Sequence, residues 1–560
     1  MPPEASPESH VAAGPWCFAG REKLFPEWEK NFLFAPEPEN IKSSMAIAGQ
    51  AARTLALRAV PEIAAFLDEN WQSHDLVYWQ ILLSPWTLSF TRVLIHHAMR
   101  VEALVSEWGA RPLDAQLLNY DDSFHFRDEA DFILHGSLNP VWNHWLLSAF
   151  FAGRVPGNWR FSSITVSREY FGLPSGPTTG GIKAKMKDFA RSLALKLPFP
   201  PLKGMGMTQA LKYSLALAHA CKSENRVLNL EQEFNRPESL ANFCLPENWL
   251  KLMKQCVPES LIRLRHGAKV KKTKKSRLRV ASINAYEDAA YRQQLALWRE
   301  KGNYLAWPQH GCNYGQVRNA CDAPLIEYSQ QVFFTWGWNK YADYKGNFVP
   351  LPSPHLAKIA GKWRQGESLL FVGTEMATLP YRLDSRPTPG QFVEYRNYKA
   401  NFMDALPEKI REKCLYRPYF KVPGCLEDAE WLSSRYPFLR ECEGPLMPGI
   451  LNCRLLALDH PGTVMLEAFA ADVPMILYWN RKHFPLAKEC DILLNALESC
   501  GLWHDTPEKA AMAIAEIWQD PKTWFNSPAV VRAREMWKKW QALTCGNKTD
   551  KLWIRFLKNL

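Results

Sequence analysis

The sequence predicts an α/β protein that contains doubly wound parallel sheets. Short apolar runs with the composition of buried strands recur in the second half of the chain, as in residues 278–286, 367–376 and 453–459. Stretches with helical spacing of apolar residues separate them, among them residues 288–302 and 464–473. Buried strands that alternate with helices pair in parallel, with helices covering the sheet. We therefore expect at least one doubly wound sheet in this half.

The first half of the chain is predicted to be largely helical. Apolar residues recur every three or four positions between residues 43 and 107, which is the spacing of one helix face. Residues 1–40 are rich in proline and are predicted to be irregular, and residues 155–265 mix loops with helices. The α/β part thus carries a helical N-terminal elaboration.

Length and composition exclude several classes of protein. A chain of 560 residues is long enough for two or three domains. No apolar run approaches the ~18 residues of a membrane-spanning helix, and the polar N-terminus lacks the features of a signal peptide. The thirteen cysteines are scattered without a CxxC pair, which is typical of free thiols. We expect a cytoplasmic protein without a zinc site.

The net charge of +11 is concentrated in residues 266–280. Such a run is either a solvated linker or a contact with an anionic membrane surface or nucleic acid. Because no zinc finger, aromatic RNA-binding motif or recognition helix accompanies it, we expect no nucleic-acid partner.

A polar turn that begins at Asp459 connects a predicted strand to a predicted helix. Ligands of doubly wound sheets bind at the carboxyl ends of strands, where helix N-termini attract phosphate. Gly462 allows close approach of a ligand, Thr463 can cap the helix, and His460 can donate to a phosphate. Glu467 follows one turn later and can accept from a ribose. The turn is either a nucleotide-phosphate site or an ordinary capped helix.

This segment resembles the donor-binding part of glycosyltransferases with the B-type fold. The similarity lies in a strand, a small-residue turn, an early Glu in the helix, and then Asp472–Leu477. Residues 307–315 (WPQHGCNYG) and 327–338 (EYSQQVFFTWGW) are similar to a family of surface-carbohydrate and O-antigen transferases. Residues 82–97 and 119–126 are similar to the same family.

Two shorter similarities bear on the donor. His460 and Pro461 resemble the His-Pro motif of bacterial sialyltransferases, and the QHG at 309–311 is similar to that of capsule transferases that use CMP-Kdo. The sequence departs from the family where Cys312 and Asn313 replace its Gly-rich turn. The detailed role of that loop therefore does not carry over.

The resemblance implies a fold, a division of the chain and an activity. Two Rossmann-like domains would face each other across a cleft, with the nucleotide sugar on the C-terminal one. The predicted parts are an irregular segment 1–40, an acceptor-side domain 41–355, a nucleotide-sugar domain 356–525, and a C-terminal helix with a basic tail 526–560. The expected activity is transfer of an acidic sugar, of nonulosonic or Kdo type, from a CMP-activated donor to a glycan.

Other donors and another class of protein stay open at this point. A B-type transferase can use a UDP-sugar, a GDP-sugar or CDP-glycerol. A non-catalytic protein that binds membranes or nucleic acid through its basic run is the remaining alternative. The amphipathic C-terminal segment favours a peripheral position on the inner membrane, near a lipid-linked acceptor.

Glycosyl transfer needs a base for the acceptor hydroxyl, and two carboxylates are candidates. Asp122, with Asp121 beside it, lies among aromatic residues that can desolvate a carboxylate and raise its pKa. The alternative is an Asx turn or a helix cap. His310 follows a predicted strand and opens a Gly-containing turn, so it is a third catalytic candidate.

The remaining candidates are assigned to donor binding. No isolated DxD follows a strand, so we expect no metal and no cofactor besides the nucleotide-sugar substrate. The predicted donor-binding residues are Gly311, Arg318, Gly373, Thr374, Glu375, Arg417, Asp459, His460, Pro461, Gly462, Thr463 and Glu467.

Overall fold

The computed structural model describes most of the chain. The described ranges are 4–38, 41–151, 156–174, 190–218, 240–264, 277–374, 378–379, 382–419, 421 and 423–559, without the side chains of 41–44. Glu375, which is predicted to bind the donor, and most of the basic run 266–280 lie outside these ranges.

Fourteen strands are present in the described ranges. They are β1 (Val11–Ala12), β2 (Leu33–Phe34), β3 (Leu113–Asn119), β4 (Trp159–Thr165), β5 (Leu278–Val280), β6 (Tyr304–Pro308), β7 (Val332–Thr335), β8 (Phe348–Pro350), β9 (Leu369–Val372), β10 (Cys414–Arg417), β11 (Arg440–Glu441), β12 (Leu455–Leu458), β13 (Met475–Tyr478) and β14 (Trp503–His504).

Helices occupy much of the rest. The α-helices are Trp28–Asn31, Ile41–Leu67, Leu76–Trp108, Glu129–Phe132, Pro140–Ser148, Met207–Ala218, Trp249–Gln255, Glu259–Ile262, Ala289–Glu300, Asp322–Ile326, Pro354–Ile359, Phe392–Ala405, Glu408–Arg411, Asp428–Arg435, Leu446–Leu451, Thr463–Ala471, Lys488–Ser499, Pro507–Ile517, Pro521–Phe525, Pro528–Gln541 and Thr549–Lys558. A π-helix spans Ile133–Ser137, and short 3-10 helices lie at Pro15–Cys17, Glu22–Leu24, Trp71–Ser73, Ala149–Phe151, Arg168–Phe171, Ile283–Tyr286, Pro389–Gln391 and Gly546–Lys548.

Six parallel strands form the larger sheet, in the order β11-β10-β9-β12-β13-β14. The chain starts at β9, builds outward on one side to β11, and then returns to build outward from β12. This reversal beside β9 is the topological switch point of a doubly wound sheet. Leu370 and Leu456 face one apolar core, whereas Leu369 and Leu455 face another. Burial on both faces explains the continuous apolar runs in the sequence.

A second parallel sheet has the order β5-β6-β7-β8. On one face Trp307 and Phe333 pack into the core that contains the N-terminal helices. On the other face Ala306 and Phe334 pack against Trp553 near the C-terminus. The predicted α/β class with parallel sheets is confirmed, whereas its arrangement as two facing domains with boundaries at 41–355 and 356–525 stays a prediction.

The helical N-terminal elaboration is present as predicted. Helices Ile41–Leu67 and Leu76–Trp108 pack along each other and share one apolar core. Asp75 is the N-cap of the second helix, where its side chain accepts a hydrogen bond from the Tyr78 N–H at 2.8 Å. β3 and β4 form a separate parallel pair beside this layer, which the sequence did not lead us to expect.

Residues 4–38, predicted to be irregular, carry only short elements but are firmly packed. Phe18 stacks on Trp28 with ring centroids 4.7 Å apart, and both are buried against the larger sheet's core. Glu22 Oε2 lies 2.6 Å from Arg396 Nη1, and Glu37 Oε1 lies 2.6 Å from Arg100 Nη1. The segment therefore connects the larger sheet to the helical layer.

The C-terminal residues return to the smaller sheet. After helix Pro528–Gln541, the Leu543 N–H donates to the Trp336 carbonyl at 2.9 Å. In helix Thr549–Lys558, Trp553 and Leu557 are buried against the smaller sheet. The apolar face predicted to favour a membrane is therefore covered by protein at these two positions. In the part of the chain that the structure describes, no helix combines the length and apolar composition needed to span a bilayer.

Gly337 lies directly against the end of helix Pro528–Gln541. Its φ is +131°, and a Cβ there would lie 2.4 Å from the Lys539 carbonyl oxygen. Gly337→Ala is expected to lower the free energy of unfolding by about 2–4 kcal/mol, through backbone strain and this clash. Urea unfolding measures the change.

Gly20→Ala is the matched control, because Gly20 also has a positive φ but nothing within 4 Å of its Cβ position. It is expected to lose about 1 kcal/mol from strain alone. Equal losses in the two variants would contradict the close packing of helix Pro528–Gln541 at Gly337.

Candidate active site

The switch point brings most of the predicted donor-binding residues together. β9 and β12 are neighbours, with Val372 paired to Leu458 at their carboxyl ends. Gly373 and Thr374 follow β9, and the turn Asp459–Thr463 follows β12. Doubly wound proteins bind ligands in the crevice at this place.

Buried side chains of neighbouring elements hold the loop after β9 in place. A Cβ at Gly373 would lie 2.7 Å from the Tyr416 hydroxyl, so the backbone passes close to that ring. The Thr374 carbonyl accepts hydrogen bonds from Lys399 Nζ at 2.7 Å and from the Tyr395 hydroxyl at 3.3 Å. Gly373 and Thr374 therefore owe part of their position to packing within the sheet.

Lys399 is the buried centre of this arrangement, and no local sequence signal marks it. Its side chain is fully buried, forms an ion pair with Asp428, and lies 4.0 Å from Asp459 Oδ2. Arg396 Nε lies 3.0 Å from Asp428 Oδ1. Buried charges are tolerated when they are paired. Lys399, Arg396, Asp428 and Asp459 therefore form one buried ion-pair network next to the loops that follow β9 and β12.

Asp459 orients His460. The His460 Nδ1 donates to Asp459 Oδ1 at 2.7 Å, while Asp459 is only 1% exposed. The imidazole lies over Gly462, where a Cβ would be 2.8 Å from Nε2. Nε2, which has no hydrogen-bond partner among the described residues, is thus held beside the start of helix Thr463–Ala471.

The start of this helix has no side-chain cap. Gly462 is the N-cap residue and has no side chain that can accept from the first N–H groups. The prediction that Thr463 caps the helix is therefore wrong, because Thr463 is already the first helical residue. Its Oγ1 instead accepts from the Cys312 N–H at 3.1 Å. Uncapped N–H groups and the helix dipole leave this end suited to an anion.

The turn after β6 faces this helix. A Cβ at Gly311 would lie 3.1 Å from Thr463 Oγ1, so the turns of the two sheets touch. Gln309 supports the turn: its Oε1 accepts from the Trp336 N–H and the Trp338 Nε1–H, and its Nε2 donates to the Gly311 carbonyl at 2.9 Å. Trp338 is fully buried, so its role in the WGW motif is packing.

His310 is half-buried in this turn. Burial lowers its pKa to about 4, with the nearby Lys203 charge acting in the same direction and a backbone hydrogen bond at Pro308 opposing it. A neutral imidazole at physiological pH can accept a proton from a hydroxyl.

Glu467 connects the larger sheet to residues around the smaller one. Its Oε1 accepts from His355 Nε2 at 2.7 Å and from Lys203 Nζ at 2.9 Å. Burial alone would raise the pKa of Glu467, but the His355 hydrogen bond and the Lys203 charge lower it. A ribose that binds Glu467, as predicted, would share this carboxylate with two existing partners.

The side chains of Arg318 and Arg417 each bind partners other than the turn at Asp459. Arg417 Nη1 donates to the carbonyls of Cys442 and Gly444 at 2.6 and 2.8 Å, which fixes the loop after β11. Arg318 Nη2 lies 3.8 Å from Asp491 Oδ2 and lines a pocket of about 330 Å³. Phe484 lines the same pocket, and its ring centroid is 6.4 Å from that of His460.

Asp121 and Asp122 are not desolvated as expected. Both are exposed, because the aromatic residues that neighbour them in sequence turn inward. Asp121 Oδ1 pairs with Lys251 Nζ at 3.2 Å, and Asp122 Oδ1 accepts from the Ser123 N–H at 2.7 Å. The structure thus places them at the surface beside helix Trp249–Gln255, and their catalytic role stays a prediction.

Within the described ranges, no group of three or more His, Cys, Asp or Glu side chains is arranged to hold a metal ion. The expectation of a metal-independent reaction also stays a prediction.

The fold and site define an α/β protein with a doubly wound sheet and a polar crevice at its switch point. The family described as "LIC12162 family transferase" matches residues 1–557. The chain belongs to this family and is a transferase. No curated protein is significantly similar to it.

Proposed function

We propose that the protein is a glycosyltransferase that binds a nucleotide-activated sugar in the crevice between Thr374 and Thr463. The observation that carries this proposal is the turn Asp459–Thr463, which sets an uncapped helix N-terminus at the switch point of the larger sheet. The family shows a transferase, and an anion-binding helix end suits a nucleotide phosphate as the leaving group.

Each side of the crevice has a task in this reaction. The helix N–H groups and His460 Nε2 stabilise the charge that develops on the departing phosphate. On the opposite turn, His310 takes the proton of the acceptor hydroxyl: burial keeps its imidazole neutral and so able to accept a proton, although the lowered pKa also makes it a weaker base than an ordinary histidine. Asp121 and Asp122 are exposed carboxylates, so we assign the base to His310 in preference to them.

The proposed donor is a CMP-activated acidic sugar. A nucleoside monophosphate presents one phosphate, which one helix N-terminus can hold. Lys203 and Arg386 both act electrostatically on Cys312 beside the crevice, and such cations suit a donor that carries a carboxylate. The proposed acceptor is a glycan, free or linked to a lipid of the inner membrane.

A nucleotide panel tests the proposal by thermal shift. CMP, CDP, UMP, UDP and GDP are added without metal, and binding to the native state stabilises it by ~2.7 kcal/mol at a hundred times the dissociation constant. CMP or CDP is expected to raise the unfolding midpoint. A response to UDP or GDP alone would contradict the donor, and no response at all would contradict the function.

His460→Ala is expected to abolish this response, because it removes the donor beside the helix N-terminus. His504→Ala is the matched control: His504 is the last residue of β14 in the larger sheet, and its Nε2 contacts the Gly501 carbonyl and not the crevice. Equal responses in the two variants would contradict the placement of the phosphate.

A further inference from the structure

One carboxylate of the N-terminal segment binds two helices of the larger sheet's half of the molecule. Glu22 Oε2 lies 2.6 Å from Arg396 Nη1, in helix Phe392–Ala405. Glu22 Oε1 accepts from the Glu427 N–H at 3.1 Å, at the N-cap of helix Asp428–Arg435. Because each oxygen of a carboxylate can accept separately, this single side chain fixes the two helices relative to each other.

These two helices carry the buried ion pair beside the crevice. Lys399 lies one turn after Arg396 in the first helix. Asp428 is the first residue of the second helix and directly follows Glu427. Arg396 Nε lies 3.0 Å from Asp428 Oδ1, while Lys399 Nζ pairs with Oδ2. All three side chains are at most 2% exposed, so the position of each depends on the others.

Lys399 extends this chain of contacts to both loops of the crevice. Its Nζ donates to the Thr374 carbonyl at 2.7 Å and lies 4.0 Å from Asp459 Oδ2. That oxygen has no hydrogen-bond partner among the described residues, whereas Asp459 Oδ1 holds His460. In a low-dielectric interior such charges act strongly on one another. A displacement of the ammonium is therefore expected to reach the His460 imidazole.

We propose that Glu22 is a positioning residue of the donor site, which acts on the His460 imidazole through the buried ion pairs around Lys399. The identity of the ligand rests on the proposed function, whereas the chain of contacts does not depend on any ligand. Energetic coupling between distant groups can follow contiguous networks of ion pairs and hydrogen bonds. The N-terminal segment 4–38 then belongs to the site, although Glu22 lies 374 positions before Arg396.

A second carboxylate and an indole ring also face Arg396. Glu29 Oε1 lies 3.5 Å from Arg396 Nη1, and the guanidinium carbon lies 4.6 Å from the ring centroid of Trp431. Burial raises the pKa of Glu29, against a backbone hydrogen bond and the Arg396 charge. Glu29 therefore loses its charge more readily than an ordinary glutamate. Because Glu22 is also the closer partner, we assign the role to Glu22.

Glu22→Gln keeps the size of the side chain and removes its charge. Without that charge, Arg396 is expected to turn toward Asp428. This carboxylate then holds Lys399 less tightly, and the ammonium moves toward Asp459.

Glu37→Gln is the matched control. It removes a charge of the same N-terminal segment that also lies 2.6 Å from a buried arginine. That arginine is Arg100 of helix Leu76–Trp108, which has no part in the ion pairs around Lys399.

NMR of the imidazole nitrogens in 15N-histidine-labelled protein tests the proposal without a ligand. The His460 signals are assigned with His460→Gln. In Glu22→Gln they are expected to move from their wild-type positions, whereas the signals of His504, which contacts Gly501, stay. In Glu37→Gln both sets are expected to match the wild type. Unchanged His460 signals in Glu22→Gln, or an equal movement in Glu37→Gln, would overturn the proposal.

The Lys399→Met background tests the route of the effect. Two changes on one path are not additive. Glu22→Gln is therefore expected to move the His460 signals much less in Lys399→Met protein than in the wild type. A movement of full size in this background would mean that Glu22 acts by another path and would overturn the proposal.

CMP binding separates this inference from the proposed function. Glu22→Gln is expected to weaken CMP binding about five- to tenfold, whereas Glu37→Gln leaves it unchanged. CMP that binds Glu22→Gln as tightly as the wild type would overturn the positioning role. Moved His460 signals in Glu22→Gln, in a protein that binds no nucleotide, would contradict the proposed function alone.

Discussion

Lys399→Met is expected to lower the free energy of unfolding by about 3–5 kcal/mol, because it leaves Asp428 with Arg396 alone and removes the buried ammonium beside Asp459. The Lys399 ammonium is fully buried, paired with Asp428 and 4.0 Å from Asp459 Oδ2. Methionine fills much of the volume but supplies no charge and no donor for the Thr374 carbonyl. Removing one partner of a buried pair exposes the full cost of desolvating the other.

Urea unfolding at neutral pH measures this change, with Lys413→Met as the control because Lys413 is exposed. Lys413→Met is expected to lie within about 0.5 kcal/mol of the wild type. The double variant Lys399→Met/Asp428→Asn removes both charges of the pair and is expected to recover part of the loss. A loss in Lys399→Met no larger than in Lys413→Met would contradict the buried network.

The same variant connects stability to the site. Lys399 supports the loop after β9 through Thr374 and the turn after β12 through Asp459. Folded Lys399→Met protein is therefore expected to respond less to CMP than the wild type in the thermal-shift panel.

Glu327→Gln is expected to stabilise the protein increasingly as the pH rises from 4.5 to 8. The carboxyl has an ordinary pKa of 4.5, and burial raises its pKa in the folded protein to about 8. In that window the unfolded chain loses this proton and the folded protein keeps it, so the free energy of unfolding falls with pH. One pKa step corresponds to ~1.4 kcal/mol, which gives roughly 4 kcal/mol over the window.

Glutamine has no proton to lose, so the variant escapes this fall. Urea unfolding of wild type and Glu327→Gln at pH 5, 6.5 and 8 measures the difference, which is expected to grow at each step. Glu443→Gln, at an exposed position, is expected to show no such growth. A difference that is constant from pH 5 to 8 would contradict a neutral, buried Glu327.

The sequence indicates the sheet cores well and their edges poorly. β6, β9, β12 and β13 are apolar on both faces, so each appears as a continuous apolar run. β11 and β14 pair over two residues each, and β3 pairs with β4 across more than 40 residues of chain. Strands as short as β11 and β14 contain too few side chains to form a recognisable pattern. No local sequence pattern indicates that β3 pairs with β4.

Some residues of the candidate site can be predicted from local sequence, and others cannot. The turn Asp459–Thr463 and the QHG turn follow strands directly, so local sequence is enough to predict them. Lys399 acts through partners 25 to 60 positions away, and Lys203 meets Glu467 across 264 positions. Such contacts are set by the fold, and so these residues were missed.

For Asp121 and Asp122, the sequence suggested desolvated carboxylates that the structure does not show. Their aromatic neighbours in sequence suggested a desolvated carboxylate. In a loop, however, alternate side chains can point to opposite sides, and here Phe124 and Phe126 take the core while both carboxylates face water.

The most direct measurement is a crystal structure of the full chain with CMP bound. We expect the phosphate to lie within hydrogen-bond distance of the backbone N–H groups at the start of helix Thr463–Ala471 and of His460 Nε2. A nucleotide bound instead in the pocket lined by Arg318 and Arg481, with the crevice beside Gly462 empty, would contradict phosphate binding at this helix.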